Sequence, residues 1–248
     1  LAAAACTSQK ELAYLGNLSG SEERFLMEIP EYKIQSRDIL YITARAMTPD
    51  GYLNDFLMSA RTFSGSTIGQ NEGSSYLYGY EVNRDGFVVL PVVGVIKVSG
   101  LTLEETRKML QEKVEKIFPG ATVECKLLSY KFTVIGEVRA PGTYINYNNY
   151  LTVLEAIGRA GGIGDYGRRD RVLVLRPANG GTVTYTLNLQ DKKLLSEAGY
   201  FLLPNDVVIV EPMKHKIFNL NLPVISLIIT SVTSAVTTTI LLLNYFGK

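Results

Sequence analysis

Hydrophobic and polar positions divide this chain into an irregular lead, two mixed segments, and a long uncharged end. Residues 7–28 scatter Leu12, Leu15, Leu18 and Phe25 without a period, which predicts a tether. Over 32–42, Tyr32, Ile34, Leu40 and Ile42 alternate with polar positions around Ser36-Arg37-Asp38, predicting two short strands about a turn. A short helical piece is expected at 53–58 between two turn-rich regions, Pro49-Asp50-Gly51 and the Ser/Gly-rich surface loop over 64–75. Tyr80 and Val82, then Asn83-Arg84-Asp85-Gly86, then Phe87, Val88, Val89 and Leu90 spell a hairpin with an Asp-Gly turn, and Pro91 and Gly94 interrupt a third strand over 95–98. Thr102 and Glu105 have capping-box spacing ahead of Met109, Leu110, Val114 and Ile117, a helix that stops at Phe118-Pro119-Gly120. Thr122, Val123, Cys125 and Leu127 form a closing strand.

The second mixed segment starts with two strands joined at Pro141-Gly142. Thr152 and Glu155 repeat the capping box, Leu154, Ile157 and Ala160 supply an apolar helix face, and Gly161-Gly162 ends the helix. Strands follow at 171–176, 182–187 and 207–210, with turns at Asn179-Gly180-Gly181 and Pro204-Asn205-Asp206. Two strands, a helix and further strands in so short a span predict a compact α+β domain of the grasp type.

From 217 to 247 no side chain is charged. A helix over 224–246 would be roughly 35 Å long, enough for a hydrocarbon core of about 30 Å. Its middle carries Thr230, Ser231, Thr233, Ser234, Thr237, Thr238 and Thr239. At about 100° per residue, Ser226, Thr230, Thr233, Thr237 and Asn244 share one line, while Ile225, Ile228, Ile229, Val232, Val236 and Leu243 take the opposite arc. Thr239 falls on the wrong side, and Leu227, Ile240 and Leu241 intrude near the polar one. Two readings fit: a tail anchor whose small hydroxyl residues pack on a neighbouring helix, or one stave of a ring with hydroxyls inward and aliphatics outward.

Charge and composition narrow the chemistry. A net charge of +1 over 248 residues gives no global field toward nucleic acid. With one histidine, His215, neither a His-based metal cluster nor a triad fits, and no cofactor is expected. His215 lies between Lys214 and Lys216, a basic collar where the helix would meet a membrane surface. Gly162, Gly164 and Gly167 spell G-x-G-x-x-G, but they follow a helix and precede a strand, the reverse of the dinucleotide-binding order. Glu104 and Glu105 sit at a helix N-terminus, where the dipole favours them without catalysis. Arg159, Arg168, Arg169 and Arg171, with Tyr166, suit either acidic sugar or a neighbouring subunit.

Cys125 is expected to be a small core residue. Cys6 has another use, since Leu1 to Ala5 followed by Cys6-Thr7-Ser8-Gln9 resembles the end of a bacterial lipoprotein signal, where the cysteine is lipidated. Ala3 stands where such signals usually carry leucine. In an inner-membrane protein the lysine collar would hold the body in the cytoplasm, whereas a lipidated Cys6 needs it in the periplasm. An outer-membrane destination removes the conflict, and it suits a helix apolar enough to cross a bilayer but too hydroxylated to be retained at the inner one.

The order of these motifs resembles the polysaccharide export outer-membrane lipoproteins of the Wza type. Tyr32-Lys33-Ile34, Asp38-Ile39-Leu40, Val82-Asn83-Arg84-Asp85-Gly86 running to Leu90-Pro91, Gly94 and Gly100-Leu101-Thr102 resemble the export domain. Gly136-Glu137-Val138, Pro141-Gly142, Leu151-Thr152, Ala156-Ile157 and Ala160-Gly161-Gly162 resemble its soluble-ligand-binding β-grasp (SLBB) domain. The resemblance implies an α+β protein divided into a lipobox remnant and tether (1–28), an export domain (29–130), one grasp domain (131–212), and a collar with a C-terminal transmembrane amphipathic helix (213–248). It implies a non-enzymatic, ring-shaped homo-oligomer passing capsular or extracellular polysaccharide through a helical pore in the outer membrane, with an inner-membrane polysaccharide copolymerase as partner. A lipid-tethered periplasmic ligand-binding protein with a helical anchor is the alternative.

Overall fold

The computed structural model describes residues 12–18, 22–47, 50–51, 53–57, 79–178 and 180–246. Two hydrophobic cores organise them. In the first, strand β1 (Ile39–Met47) pairs antiparallel with β2 (Leu53–Asp55) and β3 (Tyr80–Glu81) along one side and with β6 (Thr122–Leu127) along the other. A separate hairpin of β4 (Phe87–Leu90) and β5 (Gly94–Lys97) and the helix α1 (Leu103–Ile117) close over that sheet, burying Leu40, Ile42, Val88, Ile96, Leu110 and Val114 together.

Helix α1 starts where its capping box dictates. The Thr102 hydroxyl accepts from the Glu105 N–H at 3.1 Å, and the Glu105 carboxylate accepts from the Thr102 N–H at 2.8 Å. Leu110 and Val114, one turn apart, form its buried stripe. Its far end is tied to β6 by Gln111, which donates to the Ala121 carbonyl at 2.6 Å and accepts from the Val123 N–H at 2.8 Å. Cys125 packs at the edge of this core, and burial pushes its thiol up to about 12, so it is a poor nucleophile or ligand at neutral pH.

The second core belongs to a β-grasp fold. Strands β7 (Lys131–Gly136) and β8 (Gly142–Ile145) form a hairpin, and α2 (Val153–Arg159) begins at its own capping box on Thr152 and Glu155. Strands β9 (Leu151–Thr152) and β12 (Phe201–Leu202) pair beside it, and a 3-10 turn spans Lys192–Ser196. The main sheet runs β11 (Gly181–Leu187), β10 (Gly167–Ala178), β13 (Val207–Pro212), β7, β8, with β13 parallel to β7. The turn before β13 is held by Asp206, which is wholly buried: Arg176 reaches it at 2.7 Å and the Phe201 carbonyl at 2.7 Å, and the Leu203 N–H donates to it at 2.7 Å. Only a fully bonded pair of this kind is tolerable so far from water.

The two cores meet at residues 127–130. Leu127 packs against both. Asp38, 4% exposed, accepts from the Tyr32 hydroxyl and the Gln35 N–H at 2.8 Å each and from Ser129 at 3.1 Å, while Ser129 accepts from the Ile39 N–H at 3.2 Å. Burial raises the Asp38 carboxyl above its ordinary range, and these donors oppose the rise.

Several expectations change. Leu53, Asn54 and Asp55 form a strand on β1, not a helix; Met58 and the loop over 64–75 lie outside the described residues. Asn83 and Gly86 do form the expected turn, but β3 pairs with β1, and the antiparallel partner of β4 is β5 beyond Pro91. Of the two strands expected around Ser36-Arg37-Asp38, the first is only an isolated bridge from Lys33 to Thr102.

The largest change concerns the lead. Residues 12–18 are a strap against the grasp domain: Leu15 packs on its core, and the Leu15 and Gly16 N–H groups donate to Leu189 and Gln190 carbonyls at 2.9 and 2.8 Å. Asn17 donates to Asp191 at 2.9 Å and accepts from the Lys192 N–H at 2.7 Å, and Glu23 pairs with Lys192 at 2.8 Å.

Two outcomes test this architecture. Gly136 closes the parallel ladder at φ +93°, and a Cβ there would fall 2.1 Å from the Val210 carbonyl oxygen. Gly136→Ala is expected to lower unfolding stability by at least about 2 kcal/mol, read by urea denaturation. Asp38→Ala orphans three donors at the junction and is expected to cost about 2 to 4 kcal/mol, with faster amide exchange at Ile39 and Gln35; unchanged exchange there would refute the assignment.

Candidate functional site

Helix α3 (Lys214–Phe246) is continuous for 33 residues and includes Pro223. Asn221–Phe246 is long and apolar enough to cross a membrane, with a mean hydropathy of 1.9, and none of it is buried against the rest of the chain. It begins one residue after β13, so its mount is an interior strand of the grasp sheet.

The hydroxyl residues form a chain along the helix. Ser226 donates to the Pro223 carbonyl at 2.8 Å, Thr230 to Ser226 at 2.7 Å, Thr233 to Ile229 at 2.8 Å and Thr230 at 3.0 Å, and Thr237 to Thr233 at 2.7 Å. Ser231, Thr238 and Thr239 do the same on neighbouring lines. Each of these seven hydroxyls thus uses its one donor on its own helix and keeps acceptor capacity outward. These seven therefore do not by themselves demand water around α3, since their donors are not left to orphan in lipid. What would distinguish a lumen from a plain anchor is segregation of faces, and it is partial: Ile225, Ile228, Val232 and Leu243 lie well away from the line of Ser226, Thr230, Thr233 and Thr237 that continues, two turns on, to Asn244, while Ile229, Ile240 and Leu241 stand within about 60° of it. At the far end Tyr245 and Phe246 stand exposed, edge to face at 5.2 Å, as aromatic residues do at a bilayer boundary. Two aromatics after a long apolar run signal this feature in the sequence.

The root of α3 is tied down. The Met213 N–H donates to the Tyr166 carbonyl at 2.7 Å, Gly167 pairs with Pro212, and the Lys216 ammonium is bonded to the Glu137 carboxylate. The collar is thus not uniformly free: Lys216 is committed to the grasp domain, while Lys214 is exposed. The side chain of His215 and the whole of Cys6 lie outside what the structure describes.

The arginines do not converge. Arg169 is 8% exposed and turns inward, bonding the Gly167 and Ile163 carbonyls at 3.3 and 3.4 Å with its guanidinium 5.4 Å from the Tyr14 ring centre of the strap. A register irregularity between Gly167 and Val172 leaves Asp170 and Arg171 both outward. Arg168 pairs with Asp170 at 2.6 Å, and Glu211 lies 3.8 Å from Arg168 and 3.6 Å from Arg171. Two cations matched by two carboxylates make a neutral network rather than a bare basic patch. Arg159 is on a different surface, donating to the Ile145 carbonyl at 2.9 Å and to Asn146 Oδ1 at 3.1 Å. Tyr166 remains 41% exposed beside the helix root.

Comparisons with known proteins agree with this architecture. The profile of the polysaccharide biosynthesis/export protein family matches residues 27–127, and the SLBB domain profile matches residues 130–210. An EPS I polysaccharide export outer membrane protein EpsA of Ralstonia solanacearum is 28% identical over 204 residues, covering 79% of this chain and 52% of that protein. The EpsA of Ralstonia nicotianae is 28% identical over 193 residues, covering 75% of this chain and 49% of its own. The chain therefore spans about half the length of the curated relatives it matches.

The ion pair at the helix root yields a test. Because Lys216 is about a third exposed, Lys216→Ala is expected to cost less than about 1 kcal/mol. It should nevertheless speed proteolytic cutting near Met213 by up to about fivefold, and Glu137→Ala should do the same. If neither variant changes the cutting rate, the pair does not hold the root.

Proposed function

From a chain that belongs to the polysaccharide biosynthesis/export family, with an SLBB grasp domain behind its export domain, we propose a non-enzymatic subunit of an outer-membrane translocon for capsular or extracellular polysaccharide. Copies assemble as a ring, the export and grasp domains form its periplasmic body, and the α3 helices form the pore. The observation that carries this reading is an uncharged membrane-length helix, segregated by face and mounted without slack on an interior strand of the grasp sheet. Pore diameter scales with copy number: for eight helices about 10 Å apart, the axes would lie on a circle about 25 Å across and leave a bore of roughly 15 Å. A hydrated sugar chain passes such an opening.

Ser226, Thr230, Thr233, Thr237 and Asn244 line this pore, with no charge to hold or repel an acidic polymer. Ile225, Ile228, Ile229, Val232, Val236 and Leu243 face lipid. Lipidation at Cys6 supplies the second membrane attachment. The strap supports this, because Tyr14 lies beside Ile163 and Arg169 while the helix root is bonded to Tyr166 and Gly167, so both attachments leave the grasp domain near the same turn. Six residues from Leu12 to Cys6 span at most about 20 Å. The polymer is delivered from the inner membrane by a copolymerase, and nucleic acid is not a partner.

The internal bonding of the hydroxyls favours a second reading, in which α3 only anchors a lipid-tethered ligand-binding protein. Single-particle imaging of detergent-extracted protein separates the two: a ring with an open axis supports export, and a monomer or dimer supports the anchor. The Thr230→Leu/Thr233→Leu double variant is expected to keep the ring but abolish surface polysaccharide, since it dries the lumen without opening any backbone bond. Normal export by that variant would remove these residues from the lining.

A further inference from the structure

Between β8 and β9 the chain presents Tyr147-Asn148-Asn149-Tyr150, a segment that neither the pore nor the grasp core uses. Tyr147 is 63% and Tyr150 48% exposed, yet the segment is firmly held. Asn146, 1% exposed beneath it, donates to the Asn148 and Tyr150 carbonyls at 2.8 and 3.4 Å and accepts from the Asn148 N–H at 3.4 Å. Arg159 fastens Asn146 and Ile145 from below, with its guanidinium 5.8 Å from the Phe132 ring centre, and Tyr150 meets Phe201 edge-on at 6.2 Å. The backbone that presents two tyrosine rings and two carboxamides is thereby held in place, and the Tyr150 ring is packed, which lowers the ordering cost on binding.

The segment is also one wall of a concavity. It faces Ile29, Pro30 and Tyr32 across a cleft between the two domains, and on its other side it borders a hollow of about 430 Å³ beside Glu155. The hollow is shallow and open to solvent, so a ligand there would lie along the surface. Of the charged groups around it, Glu155 accepts from the Thr152 N–H at 2.8 Å and hydroxyl at 2.9 Å through one carboxylate oxygen, and Lys126 is paired with Glu124 at 2.5 Å. Beside them stands flat apolar ring surface interleaved with neutral amides. A pyranose matches that chemistry, its C–H face stacking on a phenol ring and its hydroxyls bonding to amides.

We propose that residues 147–150 and the cleft they border form a glycan-binding subsite that takes a short segment of the transported polysaccharide, with Tyr147 as its stacking platform. This deepens the export reading and rests on it. Arg159 and Asn146 are positioning residues that hold the platform without touching sugar.

The test uses full-length protein in detergent and fragments of four to six sugars, cut from the exopolysaccharide of the producing cells, with dextran fragments as the unrelated control. Saturation-transfer NMR and calorimetry are expected to show binding to the first and not the second. Tyr147→Ala should weaken it roughly tenfold, and Tyr147→Phe should restore it. At 63% exposure Tyr147 is dispensable for folding, so a lost signal reads on the site. Equal binding by wild type and Tyr147→Ala, or no binding by wild type, overturns the subsite. A change in particle size on Tyr147→Ala with fragment binding intact overturns it in favour of a subunit contact. Failure of the export reading itself registers separately, as export by cells lacking the protein.

Discussion

A helix of membrane length that carries no charge must satisfy its own polar groups wherever it meets lipid, and the bonding and mounting of helix α3 suit that condition. Helix α3 meets it largely internally: seven of its serines and threonines turn back on carbonyls one turn below, including Ser226 on the carbonyl of Pro223. Self-sufficiency leaves the helix no specific reason to lie in any direction, so direction has to come from its mount. Strand β13 supplies it, gripped on one side by parallel β7 and on the other by antiparallel β10, with Lys216 bonded to Glu137 where β7 ends. The buried Arg176–Asp206 pair fixes the turn from which β13 starts. Orientation is thus transmitted from a buried ion pair, along one strand, into the long apolar helix.

The same logic links the two domains. A short connection at 127–130 joins the export and grasp domains, and side chains fix it. Leu127 is shared by both cores, and the Asp38 carboxylate gathers Tyr32, Gln35 and Ser129 into one bonded cluster across the junction. Buried polar networks of this kind are worth less as stability than as geometry, because they are satisfied in a single arrangement. The strap adds a third tie, carrying the chain's lead back onto the grasp domain instead of leaving it loose.

What could be read from sequence was local chemistry. Both capping boxes form as spelled, because Thr102 with Glu105 and Thr152 with Glu155 satisfy one another within a single turn. Asn83-Arg84-Asp85-Gly86 makes its turn for the same reason, but its flanking strands find different partners, a choice set by residues far away in the chain. Leu53, Phe56 and Leu57 carry a spacing that suits a helix, and β1 overrides it with a free edge. The strap was illegible in principle: Leu15 and Asn17 have no period, and their partners are some 170 residues on, as in the 174-residue separation of Asn17 from Asp191. How the arginines are arranged was not legible because β10 takes three more residues than β13 between the Gly167–Pro212 and Val172–Val210 pairs, which changes which side chains point inward, and Arg169 lies within that irregular stretch. For the domains, the order of many weak motifs carried more than any one motif's strength.

The hydroxyl bonding also sharpens what kind of surface α3 offers. A free threonine hydroxyl is both donor and acceptor and would grip every passing sugar hydroxyl twice. With its proton directed back along the helix, each of Ser226, Thr230, Thr233 and Thr237 offers acceptor capacity and, for the threonines, a methyl group. Sugar hydroxyls can still donate to such a wall, but the wall cannot donate in return, and its methyl groups interrupt the line. Each contact is weaker and breaks without stranding a protein donor. A polymer of many identical units multiplies any per-unit affinity by the number of units in contact. A conduit for such a polymer therefore works best when each unit is held hardly at all, and selective capture belongs to a separate, rigid surface outside the bore. In the proposed export reading, a threonine row bonded into its own helix suits the first role, and the proposed tyrosine pair at the domain junction suits the second.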